Sequence, residues 1–166
     1  MQLYLLRHAI AVDRAKFDRD DRLRPLTPEG RKRMVRAARG MRELGLSFDL
    51  ILTSPFLRAS DTASLVAKEL SSRRHLHQTE LLEPGADLKE LVRHLAALRG
   101  QESLLLVGHE PQLGTLLATW LGARSPEPFQ MKKGALCLLK MEKIRLGPCA
   151  KLEWMLTCRQ LARLAD

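Results

Sequence analysis

Short apolar runs alternate with longer amphipathic stretches along this chain. The runs at residues 3–6, 49–53 and 104–107 have the length and composition of buried strands. Apolar residues at helical spacing predict four helices, over residues 28–45, residues 55–70, residues 88–100, and from Pro111 onward. Helix signals frame the first of these, with Thr27 as N-cap, Pro28 in the first turn and Gly45 as the stop. Alternating strands and helices predict an α/β fold with a mostly parallel sheet.

The last third of the chain has a different pattern. Residues 135–141 and 151–157 predict two strands joined by a loop rich in Gly and Pro, which favours an antiparallel hairpin or meander at one sheet edge. Residues 75–82 predict a short extended segment. Residues 13–24 form a charged stretch with the character of a long loop, the kind of segment that is often functional. No linker or repeat divides the chain, so we expect one domain over residues 1–166.

Composition narrows the class of protein. No apolar run approaches the length of a membrane-spanning helix, and Arg7 and His8 interrupt the first apolar run too early for a secretory signal. Cys137, Cys149 and Cys158 are odd in number and form no Cys-x-x-Cys pair, so we expect reduced, structural thiols. These features favour the cytoplasm and give no indication of a membrane partner.

The charge favours an acidic partner. The net charge is +9, from 28 Lys and Arg against 19 Asp and Glu, which suits phosphorylated proteins, nucleotides or nucleic acid. Nucleic acid is disfavoured, because aromatic residues are only 4% and no nucleic-acid-binding motif is present. The densest basic cluster, over residues 31–42, is interpreted as a solvated helix face, and its contact with a partner stays open.

Cationic and imidazole side chains follow three of the predicted strands. Arg7 and His8 follow the first, Arg58 follows the second at a helix start, and His109 follows the run at residues 104–107. Since ligands of α/β sheets bind outside the carboxyl ends of the strands, these four side chains are expected to meet. Two guanidinium groups and two imidazoles suit a phosphoryl dianion. One imidazole would stay neutral to attack phosphorus, and the other would be protonated to help hold the anion.

Four motifs in order carry a family resemblance. They are Leu5-Leu6-Arg7-His8-Ala9, Leu26-Thr27-Pro28-Glu29-Gly30, Thr53-Ser54-Pro55-Phe56-Leu57-Arg58-Ala59 and Val107-Gly108-His109-Glu110-Pro111. Together they resemble the histidine phosphatase superfamily, the phosphoglycerate-mutase-like clan. The small size, the Arg24-Pro25-Leu26-Thr27 string and the absence of an inserted cap are similar to its SixA-type branch.

The resemblance implies roles for the four residues. It implies that His8 is the nucleophile, that Arg7 and Arg58 bind phosphate, and that His109 is the second histidine of the pocket. With the SixA-type string it also implies that Arg24 binds substrate. Ala9 departs from the family pattern, which usually has Gly at that position and so raises a question of loop geometry.

These observations lead to one functional hypothesis and two alternatives. We expect a three-layer α/β/α phosphatase without metal or other cofactor, which forms a phosphohistidine intermediate and removes phosphate from phosphohistidine on a protein. Glu83 and Asp87 are weak candidates for the general acid that phosphate esters need, whereas an imidazole leaves a phosphoramidate without one. The alternatives are a small-molecule phosphomonoesterase and a phosphoprotein-binding module with negligible turnover. His75, His77 and His94 are expected to be structural, and the sequence leaves the oligomeric state open.

Overall fold

The computed structural model describes residues 1–165 and their side chains, apart from the side chain at position 74. Asp166, the last residue of the predicted domain, lies outside the described residues. The strands are β1 (Gln2–Arg7), β2 (Leu50–Thr53), β3 (Leu76–Gln78), β4 (Ser103–Gly108), β5 (Leu136–Met141) and β6 (Ala150–Leu156). The α-helices are α1 (Pro28–Glu43), α2 (Leu57–Glu69), α3 (Leu88–Ala97), α4 (Gln112–Leu121) and α5 (Cys158–Arg163).

The six strands form one mixed sheet in the order β3-β2-β4-β1-β5-β6. The first four are mutually parallel, whereas β5 runs antiparallel to β1, and β6 runs antiparallel to β5. This arrangement confirms the predicted parallel sheet and the antiparallel hairpin at its edge. It also puts β1 between two neighbours, with β4 on one side and β5 on the other.

Both faces of the sheet are covered, as the continuous apolar runs predict. Alternate side chains of β1 belong to different cores, with Tyr4 and Leu6 packing on one face and Leu3 and Leu5 on the other. Helices α1, α2 and α5 complete the first core, and α3 and α4 complete the second. The result is the predicted three-layer α/β/α architecture. No helix in the described part of the chain is both long enough and apolar enough to cross a membrane.

Three predicted elements differ from the observed ones. The extended segment at residues 75–82 contains only the three residues of β3, because Thr79 accepts a hydrogen bond from the backbone of Leu81 and turns the chain into a 3₁₀ helix, Glu80–Leu82. Helix α3 ends at Ala97, not at residue 100, because Leu98 has an extended backbone. The charged loop at residues 13–24 contains two short 3₁₀ helices, Arg14–Lys16 and Asp21–Leu23.

Helix α5 is absent from the prediction. Its start is marked by a capping box, in which the Thr157 side chain accepts from Gln160 N–H and the Gln160 side chain accepts from Thr157 N–H. The helix packs on α1 at Gly40, where any side chain on the glycine would collide with the carbonyl of Leu161. Only a residue without Cβ permits this approach.

Candidate active site

The carboxyl ends of β1, β4 and β2 bring the four predicted residues together. Arg7 is paired with Gly108 in the sheet, so His8 and His109 follow at the same level of two neighbouring strands. His8 N–H donates to the Gly108 carbonyl (3.0 Å), and the centroids of the two imidazole rings are 5.1 Å apart. Arg58 joins them from the first turn of α2, with its guanidinium 4.9 Å from the centroid of Phe56, whose ring also contacts His109.

His8 is buried and held by its neighbour. Its Nδ1 lies 2.8 Å from the carbonyl oxygen of Ala9, and a carbonyl can only accept, so Nδ1 carries the ring proton. The lone pair of the neutral ring is therefore on Nε2. Ala9 N–H donates to the Thr62 hydroxyl (3.0 Å), which in turn donates to the Arg58 carbonyl (2.6 Å). One buried hydroxyl thus connects the loop after His8 to the helix that contains Arg58.

The surroundings keep His8 neutral. Burial lowers the pKa of its imidazole to about 3, and although the hydrogen bond to Ala9 opposes this shift, the charges of Arg58, Arg7 and Arg24 reinforce it. Desolvation and nearby cations both disfavour a protonated ring. The Nε2 lone pair is consequently available throughout the physiological pH range.

Without a ligand, His109 is neutral as well, whereas the prediction of a protonated partner concerns the site with a phosphoryl anion bound. Burial lowers the pKa of His109 to about 2, with further contributions from His8 and Arg58 that Asp21 only partly offsets. Its Nε2 is hydrogen-bonded to the Ser54 hydroxyl at 2.9 Å. With that hydroxyl donating to Nε2, the ring proton lies on Nδ1, which is buried. A phosphoryl dianion beside this ring would shift the pKa in the opposite direction.

Arg7 is anchored to a distant part of the chain. Its Nη1 donates to the carbonyl of Met131 at 2.7 Å. Met131 N–H donates to one carboxylate oxygen of Glu110 (2.9 Å), and Gly114 N–H donates to the other (3.2 Å). Glu110, which follows His109 directly, therefore positions Arg7 through the Met131 backbone.

Arg58 and Arg24 share one carboxylate. Arg58 Nη2 lies 3.0 Å from Asp21 Oδ2, and its Nη1 donates to the Asp21 carbonyl at 2.8 Å. Arg24 Nε lies 2.7 Å from Asp21 Oδ1, and its Nη1 donates to the Val12 carbonyl at 2.8 Å. Burial raises the pKa of Asp21, but the hydrogen bonds and charges of Arg24 and Arg58 outweigh it and lower the pKa overall. Asp21 is therefore an ionised bridge between the two guanidinium groups.

Three buried donors of the site have no hydrogen-bond partner among the described residues. They are Arg7 Nε, Arg58 Nε and the Nδ1 of His109. Buried polar groups are nearly always paired, so three such donors in the same cluster as His8 are a strong indication of a ligand. Two of them belong to permanent cations, which makes the ligand an anion with several acceptor oxygens.

Comparison with known proteins agrees with this geometry. The sequence pattern of the histidine phosphatase superfamily (branch 1) matches residues 3–84. The phosphohistidine phosphatase SixA of Escherichia coli is 30% identical over 132 residues, covering 78% of this chain and 80% of that protein. The chain belongs to the histidine phosphatase superfamily, in its SixA-type branch.

Two further matches extend over more of this chain. An uncharacterized protein of Picosynechococcus sp. is 38% identical over 151 residues, covering 88% of each chain. The structure of the protein histidine phosphatase SixA complexed with tungstate superimposes with a TM-score of 0.85 at 25% identity, covering 97% of this chain and 99% of that one. The phosphoglycerate-mutase-like fold predicted for the chain is thereby confirmed.

The one departure from the family motif is accommodated. Ala9 is buried, and its φ is not positive, since Ser71 is the only non-glycine residue with a positive φ among those described. The loop after His8 therefore needs no glycine at position 9. Close approach is required instead at Gly30, where a Cβ would collide with the carbonyl of Ile10.

The two candidate acids of the site have different surroundings. Asp87 is the N-cap of α3 and accepts from the backbone N–H groups of Lys89 and Glu90, which accounts for it structurally. Glu83 pairs with Arg22 at 2.6 Å through Oε2, while its Oε1 is buried without a hydrogen-bond partner in the described part of the molecule.

The remaining histidines lie apart from the site residues. His75 is hydrogen-bonded through Nδ1 to the Phe48 carbonyl (2.9 Å), and His77 and His94 are exposed. No group of three or more His, Cys, Asp or Glu side chains within residues 1–165 is placed to hold a metal ion. Cys137, Cys149 and Cys158 are free thiols.

Four residues of the site were not predicted from sequence. Ser54 and Thr62 lie within or beside a recognised motif, and only their buried hydroxyls reveal their roles. Glu110 follows His109 in its motif, and its function depends on Met131, a contact distant in sequence. Asp21 lies in the charged loop, three residues before Arg24. An acidic residue at that spacing from a predicted substrate-binding arginine was its only signal in the sequence.

Proposed function

We propose that this chain is a phosphohistidine phosphatase that removes the phosphoryl group from phosphohistidine on a protein, in the cytoplasm and without a metal, through a covalent intermediate on His8. The observation that supports this most strongly is the neutral His8 imidazole, with Nε2 as its lone-pair nitrogen, among three unpaired buried donors. The donors of Arg7, Arg58 and His109 match the nonbridging oxygens of a phosphoryl group.

In the first step, the lone pair of His8 Nε2 attacks phosphorus and forms a P–N bond. The P–N bond to the substrate imidazole breaks, and its electron pair returns to the substrate nitrogen. The second ring nitrogen of the substrate takes a proton from solvent beforehand, so the group departs as neutral imidazole. Arg7 and Arg58 neutralise the charge on the transferred phosphoryl oxygens, and we assign Arg24 to the side of the substrate beside Arg58.

In the second step, water attacks the phosphorus on His8. The P–N bond to Nε2 breaks, the electron pair returns to the ring, and inorganic phosphate leaves as dihydrogen phosphate, which carries both protons of the water. The hydrogen bond from Nδ1 to the Ala9 carbonyl holds the ring in one orientation through both steps. Each step exchanges one bond to phosphorus for another, and no oxidant or cofactor is needed.

The choice of substrate follows from the leaving group. An alkoxide must be protonated as it departs, whereas an imidazole with a protonated second nitrogen is already a good leaving group. With Asp87 capping α3, Glu83 is the remaining one of the two predicted acid candidates, and it is paired with Arg22. Similarity to SixA proteins, one of which is a phosphohistidine phosphatase and one of which was solved with the phosphate-like dianion tungstate, supports the same choice.

A small-molecule phosphomonoesterase is the second candidate, and one observation favours it. Glu83 Oε1 is buried without a partner, which is where the proton of a general acid would lie. Arg22, its partner, also lies 5.5 Å from the centroid of Phe56, whose ring contacts His109. This places Glu83 near the rim of the site.

Parallel kinetics distinguish the candidates. We expect the wild type to hydrolyse a phosphohistidine peptide with a much higher kcat/KM than an alkyl phosphate, with p-nitrophenyl phosphate in between. Glu83→Gln should change phosphohistidine hydrolysis less than about tenfold, the low end of what a general acid supplies. Asp87→Asn is the matched control for loss of a carboxylate outside the site. A larger loss in Glu83→Gln alone would favour the monoesterase, and binding without turnover would identify a phosphoprotein-binding module.

A further inference from the structure

A groove of about 730 Å³ begins at the residue that follows the nucleophile. Ala9 and Ile10 form its inner end, and the first half of α1 and the start of α5 form two of its walls. The third wall is the turn at Lys132 and Lys133 that precedes β5. None of the four predicted site residues lines the groove, so it is a surface beside the site and not the site itself.

The groove is strongly basic. Its cationic lining side chains are Lys32, Arg33, Arg36, Lys132, Lys133 and Arg159. Among the described residues, its one lining carboxylate is Glu29, which already accepts a hydrogen bond from Arg33 at 2.6 Å. Lys32, Lys132, Lys133 and Arg159 are exposed, and none of the four forms an ion pair with another described residue. A cluster of this kind attracts a polyanion.

Hydrogen bonds connect the groove to the site. Gly134, directly after the two lysines, donates its N–H to the carbonyls of Arg7 and His8, each at 3.1 Å. Met131, directly before them, accepts from the Arg7 guanidinium. The Lys132–Lys133 turn is thus held between Arg7 and His8, so a chain bound in the groove contacts the loop that begins one residue after His8.

A second groove provides a contrast. It has a volume of about 940 Å³ and includes Met1 and Gln2 at the amino end of β1, away from the strand ends that hold the site. Its charged lining is mixed, with the carboxylates Glu102, Glu142 and Glu153 beside the cations Lys140, Lys143, Arg145 and Lys151. The large excess of positive charge, six cations against one carboxylate, is therefore a property of the groove beside the site, since the second groove has four cations against three carboxylates.

The lining of the basic groove favours polypeptide over nucleic acid. No aromatic side chain is among the described residues that line it, so bases would have nothing to stack on. Carboxylates of an extended peptide can pair with lysines and arginines on all three walls.

We propose that this groove binds an acidic segment of the substrate protein, adjacent to its phosphohistidine. The assignment rests on the proposed function, because it takes the phosphoryl group at His8 and the acidic segment as parts of one partner. The groove would contribute to the affinity for that protein and to the choice among phosphoproteins, with the transferred group recognised separately.

Two phosphohistidine peptides test the groove, one with Asp and Glu flanking the phosphohistidine and one with Asn and Gln in the same places. The readout is the ratio of their kcat/KM values, which cancels any effect of a variant on the chemical step. We expect a wild-type ratio of about ten that decreases as salt screens the charges. Lys32→Glu/Lys133→Glu should reduce the ratio to about one, whereas Lys143→Glu/Lys151→Glu, the same change of charge on the second groove, should retain it.

Fluorescence anisotropy of the unphosphorylated acidic peptide gives a readout independent of turnover. If the wild type hydrolyses neither peptide, the proposed function is wrong. Weaker peptide binding in the Lys32→Glu/Lys133→Glu variant, with unchanged binding in the Lys143→Glu/Lys151→Glu variant, would still support the groove. If both variants keep the wild-type kcat/KM ratio and the wild-type affinity for the acidic peptide, the role of the groove is overturned and the proposed function stands. The peptide proposal would also be overturned, in favour of nucleic acid, if an oligonucleotide of the same net charge displaced the peptide and bound more tightly than it.

Discussion

Thr62→Val removes the hydroxyl that connects the loop after His8 to α2. The Thr62 side chain is fully buried, accepts from Ala9 N–H at 3.0 Å and donates to the Arg58 carbonyl at 2.6 Å. Valine has nearly the same shape, so the substitution leaves the packing in place and deletes both hydrogen bonds.

The two lost bonds differ in cost. The Arg58 carbonyl lies within α2, where a helical backbone N–H also serves it, so losing the hydroxyl donor costs little. Ala9 N–H is buried, and its partner is Thr62, so it would be left unpaired at a cost of about 1–3 kcal/mol. If the loop keeps its position, this cost lowers the free energy of unfolding. If Ala9 moves to find another acceptor, the carbonyl that orients His8 moves with it, and the cost appears as a loss of about 5- to 150-fold in kcat/KM.

Urea unfolding and steady-state kinetics on a phosphohistidine peptide together measure the whole cost. Thr62→Ser is the matched control, because it retains the hydroxyl and removes only a methyl group, so we expect its kcat/KM to stay within about threefold of the wild type. The reasoning is refuted if Thr62→Val stays within twofold in kcat/KM and within about 0.5 kcal/mol in the free energy of unfolding. It is equally refuted if Thr62→Ser slows the reaction as much as Thr62→Val.

Four further predictions test the site. His8→Asn should abolish turnover, and a labelled substrate should leave acid-labile phosphate on His8 of the wild type, so label on another residue would contradict its role. Arg58→Lys keeps the charge and loses the planar fork, and we expect about 10²- to 10³-fold lower kcat, whereas a rate within twofold would exclude this role. EDTA should leave activity unchanged, and inactivation reversed by magnesium or zinc would contradict the mechanism. Because the folded pKa values of His8 and His109 are lowered, the unfolded chain binds more protons below about pH 6.5, so the free energy of unfolding should be highest above that pH and fall as the pH decreases toward about 3. His8→Asn should reduce this slope by about 1.4 kcal/mol per pH unit in urea titrations, and an unchanged slope would argue against a neutral buried His8.

The position of the site could be predicted because it depends on strand order and little else. Apolar runs locate the strands, parallel strands end at one edge of the sheet, and the polar residues after each run must therefore meet. Arg7, His8 and His109 follow from this rule alone, and Arg58 follows from its place in the first turn after β2.

The protonation state and the supports of the site could not be predicted in the same way. The neutral state of the unliganded His109 depends on burial together with several cations, whereas the expectation of a protonated ring concerned the anion-bound site. The anchor of Arg7 is a backbone carbonyl at Met131, for which a sequence has no side-chain signal. Helix α5 had a signal, since Thr157-x-x-Gln160 is a capping box, but the short helix has a weak apolar period.

The position of β1 between β4 and β5 has a consequence for local opening of the molecule. Its side chains are buried on both faces and its backbone is paired on both edges, so its amides should exchange with solvent deuterium only when the whole domain unfolds. The Asp21 segment is a short, largely exposed 3₁₀ turn, and its amides should exchange through small local openings. His8, the proposed nucleophile, thus directly follows the slowest-exchanging part of the protein, whereas Asp21, which holds Arg58, lies in one of the fastest. A ligand that contacts Arg58 can therefore protect the Asp21 turn from exchange without changing exchange in β1.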